Sequence, residues 1–108
     1  MHIQSSDALV SLQNSPKEFI ELFHHGSLTV EVYKPKLTDQ QSPHDRDEIY
    51  VVISGSGKFV NGKQTVDFKA GDFLFVAAGI EHRFINFTSD FSTWVFFYGP
   101  KGGEATEK

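Results

Sequence analysis

Glu48-Ile49-Tyr50-Val51-Val52-Ile53-Ser54-Gly55-Ser56-Gly57 is the stretch that decides the fold. Ile49 to Ile53 are all β-branched or aromatic, which favours an extended backbone, and the run stops at a Ser-Gly repeat that can turn the chain. Beyond it, Phe59-Val60 and Thr65-Val66-Asp67-Phe68 flank Asn61-Gly62, a strong hairpin signal that Lys63-Gln64 can lengthen. Ala70-Gly71-Asp72 is a turn before Phe73-Leu74-Phe75-Val76. Ala77-Ala78-Gly79 then breaks the chain, Glu81 to Phe87 holds another strand, and Phe91 to Tyr98 is the last. On the N-terminal side, Lys34 to Pro43 is polar with two prolines and reads as loop. Leu28, Val30 and Val32 alternate with Thr29, Glu31 and Tyr33 as a half-buried strand.

The period changes before Leu28. Ser15 can N-cap a helix, Pro16 suits its first position, and Glu18 completes a Ser-x-x-Glu capping box. Phe19, Ile20, Leu22 and Phe23 then form an apolar stripe, and Gly26 supplies a stop. The expectation is one domain over 1–108, with an N-terminal helical segment 1–27, a β-barrel core 28–98 and a flexible, fraying tail 99–108. Seven or eight short strands with a single helix indicate an all-β sandwich or small barrel. Closure would also hide the edges of a Phe-rich sheet.

Composition narrows the function. A chain of 108 residues buries about two-thirds of its unfolded surface, enough for one core without staples. The absence of cysteine excludes disulfides, Cys-ligated metals and thiol chemistry. A net charge of −4 argues against nucleic-acid backbones and anionic membranes as partners. No apolar run reaches the roughly 18–20 residues a bilayer requires. Met1 to Asp7 lacks the blocks of a signal peptide, so a cytoplasmic protein is expected. Gly55-Ser56-Gly57 lacks the following helix of a phosphate-binding loop.

Of five histidines, His2 lies near a terminus, and His24 and His25 would close the expected helix. His44 and His82 keep more informative company. On one extended strand His44 and Glu48 would stand about 13 Å apart, but the turn-prone Asp45-Arg46-Asp47 can reverse the chain between them. His82 follows Gly79 at a strand start, with Phe84 and Asn86 on its face. Two imidazoles and one carboxylate suit Fe(II), Mn(II), Ni(II) or Zn(II) and leave positions open for water or substrate. The competing reading is three ordinary surface residues. A Glu48 buried among aromatics without a cation would cost on the order of several kcal/mol, or stay protonated, which favours one divalent ion per chain.

These residues resemble the cupin family. Its first motif, G-x5-H-x-H-x3–4-E-x6-G, is matched from its second histidine onward by His44, Glu48 and Gly55. Its second, G-x5-P-x-G-x2-H-x3-N, is matched by Gly71, Gly79, His82 and Asn86, with Ala77 in place of proline. The motif's first histidine falls at Ser42 and its opening glycine at Lys36; Gln41, beside Ser42, can lend a carbonyl oxygen. The resemblance covers residues 28–98 and implies a double-stranded β-helix (jelly-roll) barrel. Its implied ligand set is His44, Glu48 and His82, with Gln41 as a fourth.

Strand parity places Tyr50 and Val52 on the face of Glu48, and Phe84 and Asn86 on that of His82. On the last strand Trp94, Phe96 and Tyr98 share one face, and Val95 and Phe97 the other. Tyr50, Phe84, Asn86, Trp94, Phe96 and Tyr98 are expected to line a pocket for a small, partly apolar molecule. Arg46 and Arg83 are either solvated or available to a substrate carboxylate. The functional expectation is a metal-dependent enzyme, oxygenase- or isomerase-like, with Glu48 or Tyr50 as proton carrier. The alternatives are a non-catalytic metal- or ligand-sensing barrel and a metal-free structural dimer. Small cupins often pair by exchanging strands, and Ile3, Leu9, Val10 and Leu12 can supply an interface for a homodimer.

Overall fold

Alternating side chains and glycine-marked turns build eight strands from residues 1–105, the span described in the computed structural model. They are β1 (Phe19–His25), β2 (Leu28–Tyr33), β3 (Asp47–Ser54), β4 (Ser56–Asn61), β5 (Gln64–Lys69), β6 (Phe73–Val76), β7 (His82–Ile85) and β8 (Ser92–Tyr98). One helix, α1 (Ser5–Gln13), precedes them. The strands form a five-stranded sheet in the order β1-β2-β8-β3-β6 and a three-stranded sheet β5-β4-β7. All pairings are antiparallel. No helix among the described residues is long and apolar enough to cross a membrane.

The two sheets close on a core of Tyr33, Tyr50, Val52, Phe59, Phe68, Val76, Phe84, Phe91 and Val95, drawn from both. Its aromatic rings meet edge-on or tilted; Tyr50 and Phe84, for example, stand 4.9 Å apart at 83°. Such pairs are worth about 0.5–1.5 kcal/mol beyond their buried area. A second cluster lies outside the barrel, where Ala8 and Leu12 of α1 bury Val32 with Ile20, Leu22, Ile53 and Trp94 around it. The architecture is therefore the expected all-β jelly roll with a short N-terminal helix.

The helix is not where the capping signals put it. Residues 15–26 are a turn and strand β1, and α1 lies earlier, at Ser5–Gln13. Ser15 Oγ does accept a local bond, from the Lys17 amide at 3.1 Å, but it caps a turn. Glu18 accepts from the Lys36 amide instead of closing a capping box. Consequently His24 and His25 end β1 rather than a helix. Much of the apolar N-terminal segment faces its own chain: Leu12 and Ala8 are buried, Ile3 and Leu9 pack beside them, and Met1 and Val10 are exposed.

Two glycines show why the turns hold. Gly55 has φ +86°, and a Cβ there would meet the Phe91 Cα at 2.6 Å. Gly79, at φ +82°, donates its amide to the His44 carbonyl at 2.7 Å. That bond ties the loop carrying His44 to the turn before His82. The first part of the expected tail is also held, since Gly102 donates to the Asp45 carbonyl and Glu104 to Asp47 Oδ2. Its end, residues 106–108, lies outside the described residues.

Candidate metal centre

Glu48 is the second residue of β3, whose register pairs it with Phe97 on β8 and Val76 on β6. The start of a central strand points it into the barrel, where it is 1% exposed. His82 begins β7 on the opposite sheet, opposite Asn61 of β4, and is 4% exposed. His44 approaches from the 34–46 loop. The bend at Asp45-Arg46 lets its side chain return toward Glu48, so the extended-strand separation does not apply.

Nε2 of His82 lies 3.2 Å from Glu48 Oε1, and Nε2 of His44 3.9 Å from the same atom. One ligand atom from each of the three falls within 4.8 Å of the others. The His82 ring is oriented from behind: its Nδ1 donates to the Ile80 carbonyl at 2.9 Å, which leaves the lone pair on Nε2 facing Glu48. Both Glu48 carboxylate oxygens and His82 Nε2 are buried without a hydrogen-bond partner. Such an unmet carboxylate costs on the order of several kcal/mol unless a cation joins it, and two imidazoles plus a carboxylate are the donors a divalent ion takes. The residues present fit a metal.

Gln41 lies beside this cluster. Its Nε2 donates to Asp39 Oδ2 at 2.9 Å, which fixes the amide so that Oε1 turns inward. That oxygen accepts from the Tyr50 hydroxyl at 3.1 Å and lies 3.2 Å from His44 Nε2. Asp39 is no ligand: its carboxylate is spent on the Tyr33 hydroxyl, the Phe84 amide and Gln41. Ser42 is exposed and adds nothing.

The electrostatics follow from burial. Tyr50 is held well above the usual phenol range, chiefly by desolvation and then by the Glu48 charge, so its hydroxyl stays protonated. For His82, burial by itself lowers the pKa. The neighbouring Glu48, the Ile80 carbonyl and Asp39 outweigh it, and the net shift is upward.

Above Glu48 opens a cavity of about 660 Å³, whose walls include Phe19, Glu31, Tyr33, Gln41, Val95 and Phe97. This wall differs from the expected one. Trp94 and Phe96 pair with Val32 and Val30 on the outer face of the sheet, because α1 covers that side with apolar residues. Tyr98, two residues further on the same strand, lies off the lining as well. Val95 and Phe97 point inward; the Phe97 ring sits 4.9 Å from that of His44. Tyr50 and Phe84 belong to the core beneath the pocket. Asn86 sits at φ +52°, a left-handed turn that Asn tolerates, beside Arg83 in a separate hollow. Arg46 is held by the Ser27 carbonyl and Thr29 Oγ1, over the Phe97 ring. Glu31 was missed because β2 is covered on both faces. Val32 on one face meets α1, and Glu31 and Tyr33 on the other line the cavity.

Comparison with known proteins agrees with this architecture. A protein of Streptomyces coelicolor, SCO3923, is 36% identical over 64 residues, which span 59% of this chain and 61% of that protein. A cupin-2 domain containing protein from Shewanella frigidimarina superposes with a TM-score of 0.70 at 18% identity, covering 90% of this chain and 94% of that one. A chain from the structures of the DMSP lyases RdDddP and RnDddQII superposes with a TM-score of 0.67 at 25% identity, over 77% of this chain and 47% of that one. The model of the cupin domain family matches residues 29–98. The chain is a member of the cupin domain family.

Proposed function

We propose that this cupin binds one divalent metal ion through His44, Glu48, His82 and Gln41 and acts on a small molecule in the cavity above them. The observation that carries the reading is Glu48, a fully buried carboxylate with both oxygens unpartnered beside a bare imidazole nitrogen. A divalent ion bound there would supply a Lewis acid with coordination positions open toward the cavity. The chain's own residues divide the remaining work. Ile80 and Asp39 orient His82 and Gln41, and Tyr50, protonated throughout the neutral range, holds the Gln41 carbonyl oxygen in place. Val95, Phe97, Phe19 and Tyr33 exclude water from bound ligand.

The reaction class we favour is oxygenase- or isomerase-like, since both need an open position beside an enclosed cavity. A non-catalytic metal- or ligand-sensing barrel is the second reading. It is favoured by Ser42, which stands exposed where the family's first histidine falls. We further propose that the protein is a homodimer. Elemental analysis of anaerobically purified protein tests the metal. About one equivalent of Fe, Mn, Ni or Zn in the wild type, lost in both His44→Ala and His82→Ala, is the expected result. Equal metal in all three proteins would overturn the reading.

A further inference from the structure

Glu31 stands apart among the acidic groups of the cavity. Glu18 accepts from the Lys36 amide, and Glu48 belongs to the metal centre. Among the described residues the Glu31 side chain has neither a hydrogen bond nor an ion pair, although it is half-buried and lines the cavity beside Tyr33, Val95 and Phe97. The nearby cations are otherwise engaged or out in solvent. Arg46 is tied to Ser27 and Thr29, and Lys17 is exposed beside the Phe19 ring.

The register sharpens the point. Glu31 sits directly opposite Glu21 across β1 and β2, and like charges in that position destabilise a sheet. Glu21 relieves itself on His24 at 2.9 Å, whereas Glu31 has no such outlet. Burial, then the charges of Glu48 and Glu21, push the Glu31 pKa up, and no neighbouring group offsets them. On the other side Glu31 pairs with Val95, which in turn pairs with Tyr50, so Glu31 and Glu48 share the inner face with one strand between them. Glu48 lies two residues along β3 from Tyr50, so two strand spacings and that offset put the two about 12 Å apart, within the reach of one small molecule. The same cavity has at its floor the unpartnered, fully buried Glu48 carboxylate, so it is a built site rather than a patch of acidic surface.

We propose that Glu31 selects the ligand of this cavity and that the ligand carries an ammonium group on an apolar body. The ammonium replaces the missing partner of Glu31, and Phe19, Tyr33 and Phe97 take the apolar part, their ring faces adding attraction for a cation. Anionic ligands are disfavoured, because Glu18, Glu31 and Glu48 line the cavity against a single, exposed lysine, Lys17. The proposal rests on reading the cavity as the ligand site, but it does not depend on which metal, if any, sits below.

The test uses 2-phenylethylammonium, 2-phenylethanol and 3-phenylpropionate as matched probes, followed by amide chemical shifts of isotopically labelled, metal-free protein. The ammonium should move the amides of Glu31, Val95 and Phe97 and bind about fivefold or more tightly than the alcohol. Glu31→Gln should abolish that preference, whereas Asp67→Asn, exposed on β5 of the other sheet, should keep it. Equal binding of ammonium and alcohol, tighter binding of the carboxylate, a preference that survives Glu31→Gln, or no shift with millimolar ammonium would each overturn the proposal. A separate zinc titration, read on the imidazole signals of His44 and His82, reports on the metal reading, so the two can fail independently.

Discussion

At the scale of single residues, the chain keeps a carboxylate where folding alone would not place one. Glu48 is buried with both oxygens unmet, so its charge opposes folding until a cation arrives. At a pH above the folded value of His82, where that imidazole is neutral, Glu48→Gln should therefore abolish metal binding while leaving the metal-free protein with an equal or higher Tm, measured by calorimetry after chelation. A lower Tm would show that Glu48 is structural. The raised pKa of His82 sets a pH dependence. In the metal-free protein the stability from protonated His82 is complete below the unfolded value of about 6.5 and is lost as pH rises through the higher folded value. A metal needs the deprotonated nitrogen, so its affinity should run the other way, falling by about tenfold per pH unit below that folded value. Competition with a chromophoric chelator across neutral pH measures it; a flat profile would exclude His82 from the ligand set. Residue types and two motif spacings were enough to single out His44, Glu48 and His82 from the sequence. Glu31 was not legible, because alternation in β2 reveals two faces without saying which one meets the barrel.

At the scale of elements, one bulge explains the misplaced helix. Ile20 pairs with Val32 and Phe23 with Val30, and the register shifts between Glu21 and Phe23, so Leu22 is an inserted residue. The insertion stretches the same-face spacing from two to three and imitates a helical stripe on a strand. The true helix shows few signals, since Gln4 at its start makes no side-chain cap and only Ala8 and Leu12 are buried. The hairpin was legible to within one residue: Asn61 and Gln64 close it around Gly62-Lys63. The 34–46 loop has little regular structure, so its position depends on Asp39. That carboxylate joins Tyr33, Gln41 and the backbone of β7. Asp39→Ala strands two buried donors and frees Gln41, so it should cost about 2–4 kcal/mol in urea unfolding and weaken metal binding as well. Gly79→Ala forces a left-handed φ on a Cβ-bearing residue and should cost about 1–2 kcal/mol, with its effect on metal following from the shared bond to His44.

At the scale of the whole molecule, the five-stranded sheet is covered on its inner face by the barrel core but only partly on its outer face by α1. The uncovered end runs from Phe96 through Ile49 and Val51 to Phe73 and Phe75, which neighbour one another across β8, β3 and β6. Phe73 and Phe75, on the edge strand β6, remain 63% and 43% exposed, a large apolar exposure for one side of a sheet. Stable dimers bury about 800 Å² per partner, more than two phenylalanines supply, so the proposed dimer would need a contact that extends along the rest of this face around a two-fold axis. Of the residues expected to form the interface from sequence, Ile3, Leu9 and Leu12 already pack in the cluster around Val32, while Val10 is exposed. Replacing both Phe73 and Phe75 by Lys should convert a dimer of about twice the 12.1 kDa chain mass into monomer in light scattering. Glu48 projects from the opposite face of this sheet, and His82 and His44 come from β7 of the other sheet and from the 34–46 loop, so metal content should not change with it. A wild-type protein that is monomeric at high micromolar concentration would remove the dimer without touching the metal centre. A double variant that lost metal as well would mean that the outer face supports the barrel rather than a second copy.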